Sequence, residues 1–173
     1  GAAGTASASR ILVTVVDAMQ VITAVCALLA GAGAVLLVIA RLVATRVPLA
    51  ARIGGAAVAA RATLTLVVAG GSMLGSLYFS EFADYIPCRL CWFQRIAMYP
   101  IAVVALVAVL RRDHDARWYS VPMAAVGVCI SIWHYLLEWN PRWEGESRGL
   151  FGPACSGPWF RTFGFVSLAL MAL

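Results

Sequence analysis

The sequence predicts an all-α integral membrane protein, and three observations carry that prediction. Of 173 residues, 62% are hydrophobic and only 12% are charged, where a soluble domain has about a quarter of its residues charged. The mean hydropathy is +0.88. The apolar residues also gather into long runs: residues 21–40 and 62–80 contain no charged side chain. Each run is long enough to cross a hydrocarbon core of about 30 Å as a helix rising about 1.5 Å per residue. A soluble core made from a chain of this length is too small to hide them.

Five spans follow from the pattern. The first covers about residues 15–40, with Asp17 and Gln20 near an interface. The next three cover about 57–79, 92–110 and 119–137. The fifth runs from Trp159 to the last residue, Leu173. It is short for a crossing, so the natural chain is expected to continue. The opening residues 1–9 are small and polar and lack a starting Met, which reads as a processed or truncated terminus and not as a cleavable signal peptide. Pro100 removes a backbone donor from the third span and is expected to kink it. Gly31, Gly33, Gly70, Gly71 and Gly75 are expected to let helices approach closely.

The charge is +5, carried by 13 arginines and no lysine. Because the arginines lie between apolar runs, they speak for membrane orientation and against nucleic-acid binding. Arg41, Arg46, Arg52 and Arg61 surround the first connection; Arg111, Arg112 and Arg117 lie in the third, with Asp113, His114 and Asp115. The positive-inside rule places both in the cytoplasm. His114 then reads as plain cytoplasmic surface. The second connection, 81–91, and the fourth, 138–158, face outward, with the N-terminus outside and the C-terminus inside. Tyr78, Phe79, Tyr85, Trp92, Trp139, Trp143 and Trp159 cluster about these outer loops, as interfacial aromatics do.

Five cysteines divide into two kinds. Cys26 and Cys129 lie within apolar runs, where a thiol is a small hydrophobe. Cys88, Cys91 and Cys155 lie in or beside the outer loops, on the oxidising side where disulfides persist. Cys88 and Cys91 form a CxxC, a small ring able to open and close in exchange. Arg89 and Arg95 bring positive charge that favours a thiolate. A metal site would need four N or S ligands. The outer loops supply three thiols and no histidine, so no metal is expected. Cys155 has no neighbour of its own kind, and reads as a reactive thiol or one half of a pair.

The string Pro87-Cys88-Arg89-Leu90-Cys91-Trp92-Phe93-Gln94-Arg95, followed by Met98-Tyr99-Pro100, resembles the signature of the DsbB/BdbC disulfide bond formation proteins. Trp133-His134-Tyr135, Glu138-Trp139, Cys155 and Trp159-Phe160 extend the resemblance over about 62–173. It implies a four-helix transmembrane bundle over residues 57–173, here preceded by an additional N-terminal transmembrane helix and cytoplasmic loop over 1–56. Such proteins sit in the cell membrane with their redox loops outside. They oxidise an extracytoplasmic thioredoxin-like (DsbA-type) partner and pass its electrons to a quinone, ubiquinone or menaquinone. Carried onto this chain, Cys88 and Cys91 are the quinone-proximal pair, with Cys91 placed nearest the helix to meet the ring. Arg95 and Gln94 lie beside the quinone head group, and Cys155 belongs to the pair that meets the partner. The usual mate of Cys155 is absent; Ser147 is the only serine in the interval 144–151 where it would fall.

His134, near the outer end of the fourth span, is a candidate hydrogen-bond donor to a quinone oxygen, or else an interhelical contact. Two other functions remain open: a quinone reductase of the vitamin K epoxide reductase type, and a non-enzymatic membrane scaffold clasped by a structural disulfide.

Overall fold

In the computed structural model the described residues are 2–44, 48–113, 115–147 and 153–172, with side chains described from residue 12 onward except at 50, 146 and 147. Six α-helices follow one another: α1 Ala2–Val43, α2 Pro48–Ala59, α3 Arg61–Glu81, α4 Arg89–Arg111, α5 Arg117–Trp139 and α6 Leu168–Met171. A 3-10 segment, Pro141–Ser147, follows α5. His114 and residues 148–152 lie outside the described residues.

Four helices, the N-terminal one included, are long and apolar enough to cross a membrane: Leu12–Val43, Arg61–Glu81, Arg89–Arg111 and Arg117–Trp139. The chain is therefore a multi-span membrane protein. This corrects the expectation of a four-helix bundle plus a fifth, N-terminal span. The error lies at residues 159–173, read as a helix from composition alone. Thr162 and Val166 instead exchange two backbone hydrogen bonds, of 2.9 and 3.0 Å. Between them Phe163 and Gly164 sit at φ 57° and 83°, a left-handed conformation through which a right-handed helix cannot propagate. Helix begins only at Leu168, where the Ser167 hydroxyl accepts from the Leu170 amide at 3.5 Å. The C-terminus was expected across a fifth span. Residues 159–160 after α5 pack at the same end of the bundle as the Cys88 loop.

The first connection also holds more structure than expected. Pro48 opens α2 at the first helical position, where a missing N–H costs nothing. The Arg41 guanidinium donates to the Gly54 carbonyl at 3.1 Å and joins α1 to α2.

Helix α4 is the packing centre. Its buried residues Gln94, Ala97, Ile101, Ala102, Ala105 and Ala108 recur at three- and four-residue spacing, so a narrow face of mostly small side chains lets neighbours close in. Ile101 and Ala102 meet Ala69 of α3, with Met73 and Met123 against them. On the other side, a Cβ added at Gly127 of α5 would stand 3.3 Å from the Ala97 Cβ. Pro100 lies inside α4 without ending it. The glycines expected to mediate packing divide. A Cβ at Gly75 would meet Thr23 of α1 at 3.7 Å, whereas at Gly31, Gly33 and Gly71 it would meet no described atom within 4 Å. Outward side chains such as Val67, Leu74, Leu106 and Val126 are exposed, as lipid-facing surface requires.

Candidate active site

The site forms at the end of the bundle where α3, α4, α5 and the 153–167 segment meet. After α3 the Tyr85 amide donates back to the Phe79 carbonyl at 3.0 Å. The Tyr85 ring lies between Phe79 and Trp159, nearly parallel to both, with centroids 5.8 and 4.9 Å away. Gln20 of α1 donates to the Tyr85 hydroxyl at 2.8 Å. One aromatic stack thus pins the CxxC loop to the segment that follows Cys155, and ties the N-terminal helix to both.

Cys88 is the N-cap of α4. Its extended backbone (φ −72°, ψ 172°) lets its sulfur accept from the Cys91 amide at 3.4 Å, satisfying one of the free donors of the first turn. Its Sγ lies 3.1 Å from the Cys91 Sγ. Cys88 is buried and Cys91 half-buried. From α5, His134 places Nε2 3.6 Å from the Cys88 Sγ and Nδ1 3.4 Å from the Gln94 Oε1. An amide oxygen only accepts, so the tautomer that satisfies Gln94 carries its proton on Nδ1 and turns the Nε2 lone pair to sulfur. Gln94 Nε2 donates to the Ser131 hydroxyl at 3.1 Å, and Ser131 donates to the Ala172 carbonyl at 3.2 Å. A continuous polar chain therefore descends from the thiol into the α4–α5 interface. His134, Gln94 and Ser131 are all buried, and each has a partner, as burial demands.

Cys155 reaches the same point from the other loop. Glu144, in the 3-10 segment, accepts from the Cys155 amide at 2.7 Å and the Ser156 amide at 3.2 Å, one on each carboxylate oxygen. Trp143 beside it stacks on Trp133 of α5 at 6.0 Å, which fixes the clamp to the bundle. Cys155 and Cys88 face each other across the two loops, each bearing on the other's proton affinity. Three thiols from two loops converge, with Cys88 in the middle.

The model of the disulfide bond formation protein DsbB matches residues 60–169. The chain belongs to the DsbB family. Disulfide bond formation protein C of Bacillus subtilis is 45% identical over 107 residues, covering 62% of this chain and 78% of the relative. A probable disulfide formation protein C 1 of Bacillus anthracis is 40% identical over 100 residues, 58% of this chain and 72% of its own length. A probable disulfide formation protein of Deinococcus radiodurans is 47% identical over 100 residues, 57% and 65% of the two chains. No solved structure matches this chain. As a DsbB-family member it is a membrane oxidoreductase that makes disulfide bonds.

Within this DsbB-family site, Arg95 points away from the relay. Its guanidinium donates to the Ser76 carbonyl of α3 at 3.1 Å and lies over the Trp92 ring, 5.4 Å from its centroid. The Tyr99 hydroxyl joins the same corner, 3.5 Å from the Ser76 Oγ. Gln94 and Arg95, adjacent in sequence, therefore serve opposite flanks of α4: Gln94 meets His134 of α5, and Arg95 meets α3. The Arg95 charge still acts on Cys91.

Glu144, Ser131 and Tyr85 were not singled out by sequence as parts of the site. Nothing in the local pattern around Glu144 says that its carboxylate will cap a turn 11 residues away. The outer loops hold no histidine, and it is α5 that brings His134 to Cys88. Glu138 is buried. Its Oε2 has no hydrogen-bond partner among the described residues, while Arg161 donates to its carbonyl at 2.9 Å. The interval holding the expected mate of Cys155 is mostly undescribed, as is the Ser147 side chain.

The loop thiols differ in proton affinity. Cys155 bonds to the Cys88 sulfur and pulls its pKa down, but the Cys88 bond to Cys91, burial and the Cys91 charge together outweigh it and push Cys88 up to about 12. Cys155 is pushed well above the usual thiol range by its bond to Cys88 and by burial, against the Leu90 backbone and with the Cys88 and Glu144 charges adding. A raised thiol pKa keeps the unreactive protonated form up to that pH. In the reduced folded protein, alkylation of Cys88 should therefore be slow at pH 8 and rise about tenfold per pH unit towards 12. Mass spectrometry of pulse-alkylated peptides checks this; a Cys88 rate that levels off near pH 9 contradicts it.

Proposed function

We propose that this chain is a thiol:quinone oxidoreductase that reoxidises a thioredoxin-like disulfide donor outside the membrane. The observation that carries the reading is the thiol sequence Cys155, Cys88, Cys91, which leads from a loop to the first turn of a membrane helix. Exchange needs each attacking sulfur beside the next disulfide. When Cys88 and Cys91 are joined, the Cys155 thiolate is placed to attack the Cys88 Sγ. The new bond is Cys88–Cys155, the bond broken is Cys88–Cys91, and the leaving thiolate is Cys91. Glu144 positions Cys155 for this step through the two backbone amides it holds. A partner's thiolate, attacking the Cys88–Cys155 bond at Cys155, enters the same sequence.

A quinone head group needs an apolar wall with a donor directed at a ring oxygen. The α3–α4 corner fits: Trp92 and Ile96 are exposed towards lipid, and the Arg95 guanidinium, with five N–H donors, has one engaged by Ser76. Arg95 and Trp92 would hold the head group within reach of Cys91, and the Arg95 charge would steady the Cys91 thiolate. His134 and Gln94 lie on the α5 flank, and their role is to orient and take the proton of Cys88. The quinone, when bound, accepts the two electrons and two protons lost as two thiols become a disulfide. The positive-inside rule supports an outward site. A membrane-impermeant maleimide should label reduced Cys91 from the outer face of sealed cells only; labelling solely from the cytoplasmic face contradicts that orientation. The reading itself is tested by adding reduced thioredoxin-like protein to the lipid-reconstituted chain and following quinone absorbance.

A further inference from the structure

The Cys88 and Cys91 sulfurs and a ring nitrogen of His134 all lie within 4.8 Å of one another. We propose that the reduced site is also a binding site for a thiophilic divalent cation of the Zn2+ type, held by Cys88, Cys91 and His134 with the fourth position open to water. A tetrahedral site has bonds of about 2.3 Å to sulfur and about 2.0–2.1 Å to nitrogen, so its S···N edges are about 3.6 Å and its S···S edges about 3.8 Å. The Cys88–His134 separation, 3.6 Å, already has the edge length. The Cys88–Cys91 separation, 3.1 Å, must open by about 0.7 Å, within reach of a side-chain rotation at a half-buried residue.

The surroundings suit a cation. Gln94 Oε1 accepts from His134 Nδ1, which aims the Nε2 lone pair inward, as the partners of metal-bound histidines do. The Cys91 amide points at the Cys88 sulfur and can steady a thiolate there. The Glu144 charge acts on both Cys155 and His134. Of the nearby arginines, Arg89 is exposed and Arg95 has its guanidinium bonded to Ser76. Binding breaks no S–S bond and transfers no electron: the two thiols release their protons to water and the sulfurs ligate. Oxidation to Cys88–Cys91 removes two ligands, so the site exists only in the reduced protein. A bound cation in turn withholds the thiolates from exchange and stalls disulfide formation. The proposal needs reduced thiols alone and holds whatever the electron acceptor is.

The test uses the full chain in lipid with Cys26→Ala and Cys129→Ala, so that only the loop thiols remain. It is reduced with dithiothreitol, desalted without oxygen and titrated with Co2+, followed by Zn2+. One Co2+ per reduced chain is expected, with intense tetrahedral d–d absorption and sulfur-to-cobalt bands that Zn2+ abolishes. The oxidised chain should bind none. His134→Ala should weaken binding by more than about tenfold, and Cys91→Ser should reduce the sulfur-band intensity. If the reduced chain, with three thiols verified by titration, binds Co2+ no better than the oxidised chain, or gives only octahedral spectra, the proposal is overturned. That comparison needs no ligand variant, so it stands even if one misfolds. Disulfide formation measured with chelator present reports separately on the oxidase reading.

Discussion

Cys91→Ser is expected to abolish quinone reduction, by at least about 10³-fold, as loss of a catalytic nucleophile does. It should also accumulate a Cys88–Cys155 disulfide. Cys88 lies 3.1 Å from the Cys91 sulfur and faces Cys155 of the other loop. Serine at 91 leaves Cys155 as the facing thiol among the described residues. Glu144 holds the Cys155 backbone in place by two amides, and the Tyr85 stack holds the loops together, so the pair forms without rearrangement. Added reduced partner should then attack at Cys155, forming a mixed disulfide with Cys88 as the leaving thiolate. Non-reducing peptide mass analysis reads both species. A variant that keeps more than a tenth of wild-type quinone reduction would show that electrons leave by some sulfur other than Cys91.

Arg95→Met is expected to lower the rate of quinone reduction by about 10²-fold, the usual cost of removing a donor aimed at developing negative charge. Thiol exchange with the partner should continue, because Cys155 and Cys88 do not touch Arg95. Met keeps the length and the apolar contact with Trp92 but gives up the charge and the bond to Ser76. Lysine should recover part of the rate, restoring charge without the planar fork. Stopped-flow reduction of the Cys88–Cys91 bond, read beside quinone absorbance, separates the two half-reactions. Equal slowing of both would make Arg95 a strut between α3 and α4.

How much of this was legible in sequence depended on the range of the interaction. Long apolar runs declare themselves, and α3, α4 and α5 lie where the runs lie. The CxxC with Gln94-Arg95 is likewise local. Residues 159–173 misled because hydropathy does not report backbone hand: Phe163 and Gly164 turn left-handed and delay the helix to Leu168. Within the site, the His134 contact with Cys88 spans 46 positions and the Glu144 clamp on Cys155 spans 11. Neither has a periodic signal, since both arise from how helix ends meet. Gln94 and Arg95 are adjacent in sequence, and helical rotation of about 100° per residue sends them to different neighbours, His134 and Ser76.

The most direct test of the central claim is a single-turnover measurement on the lipid-reconstituted chain without oxygen. Reduced thioredoxin-like partner is mixed with protein and quinone, and partner disulfide and reduced quinone are quantified together. The account predicts one quinone reduced for each partner disulfide formed, with the Cys88–Cys91 bond restored at the end. A Cys88–Cys91 disulfide that stays closed throughout, with no quinone reduced, would contradict it and leave a static clasp in place of a redox centre.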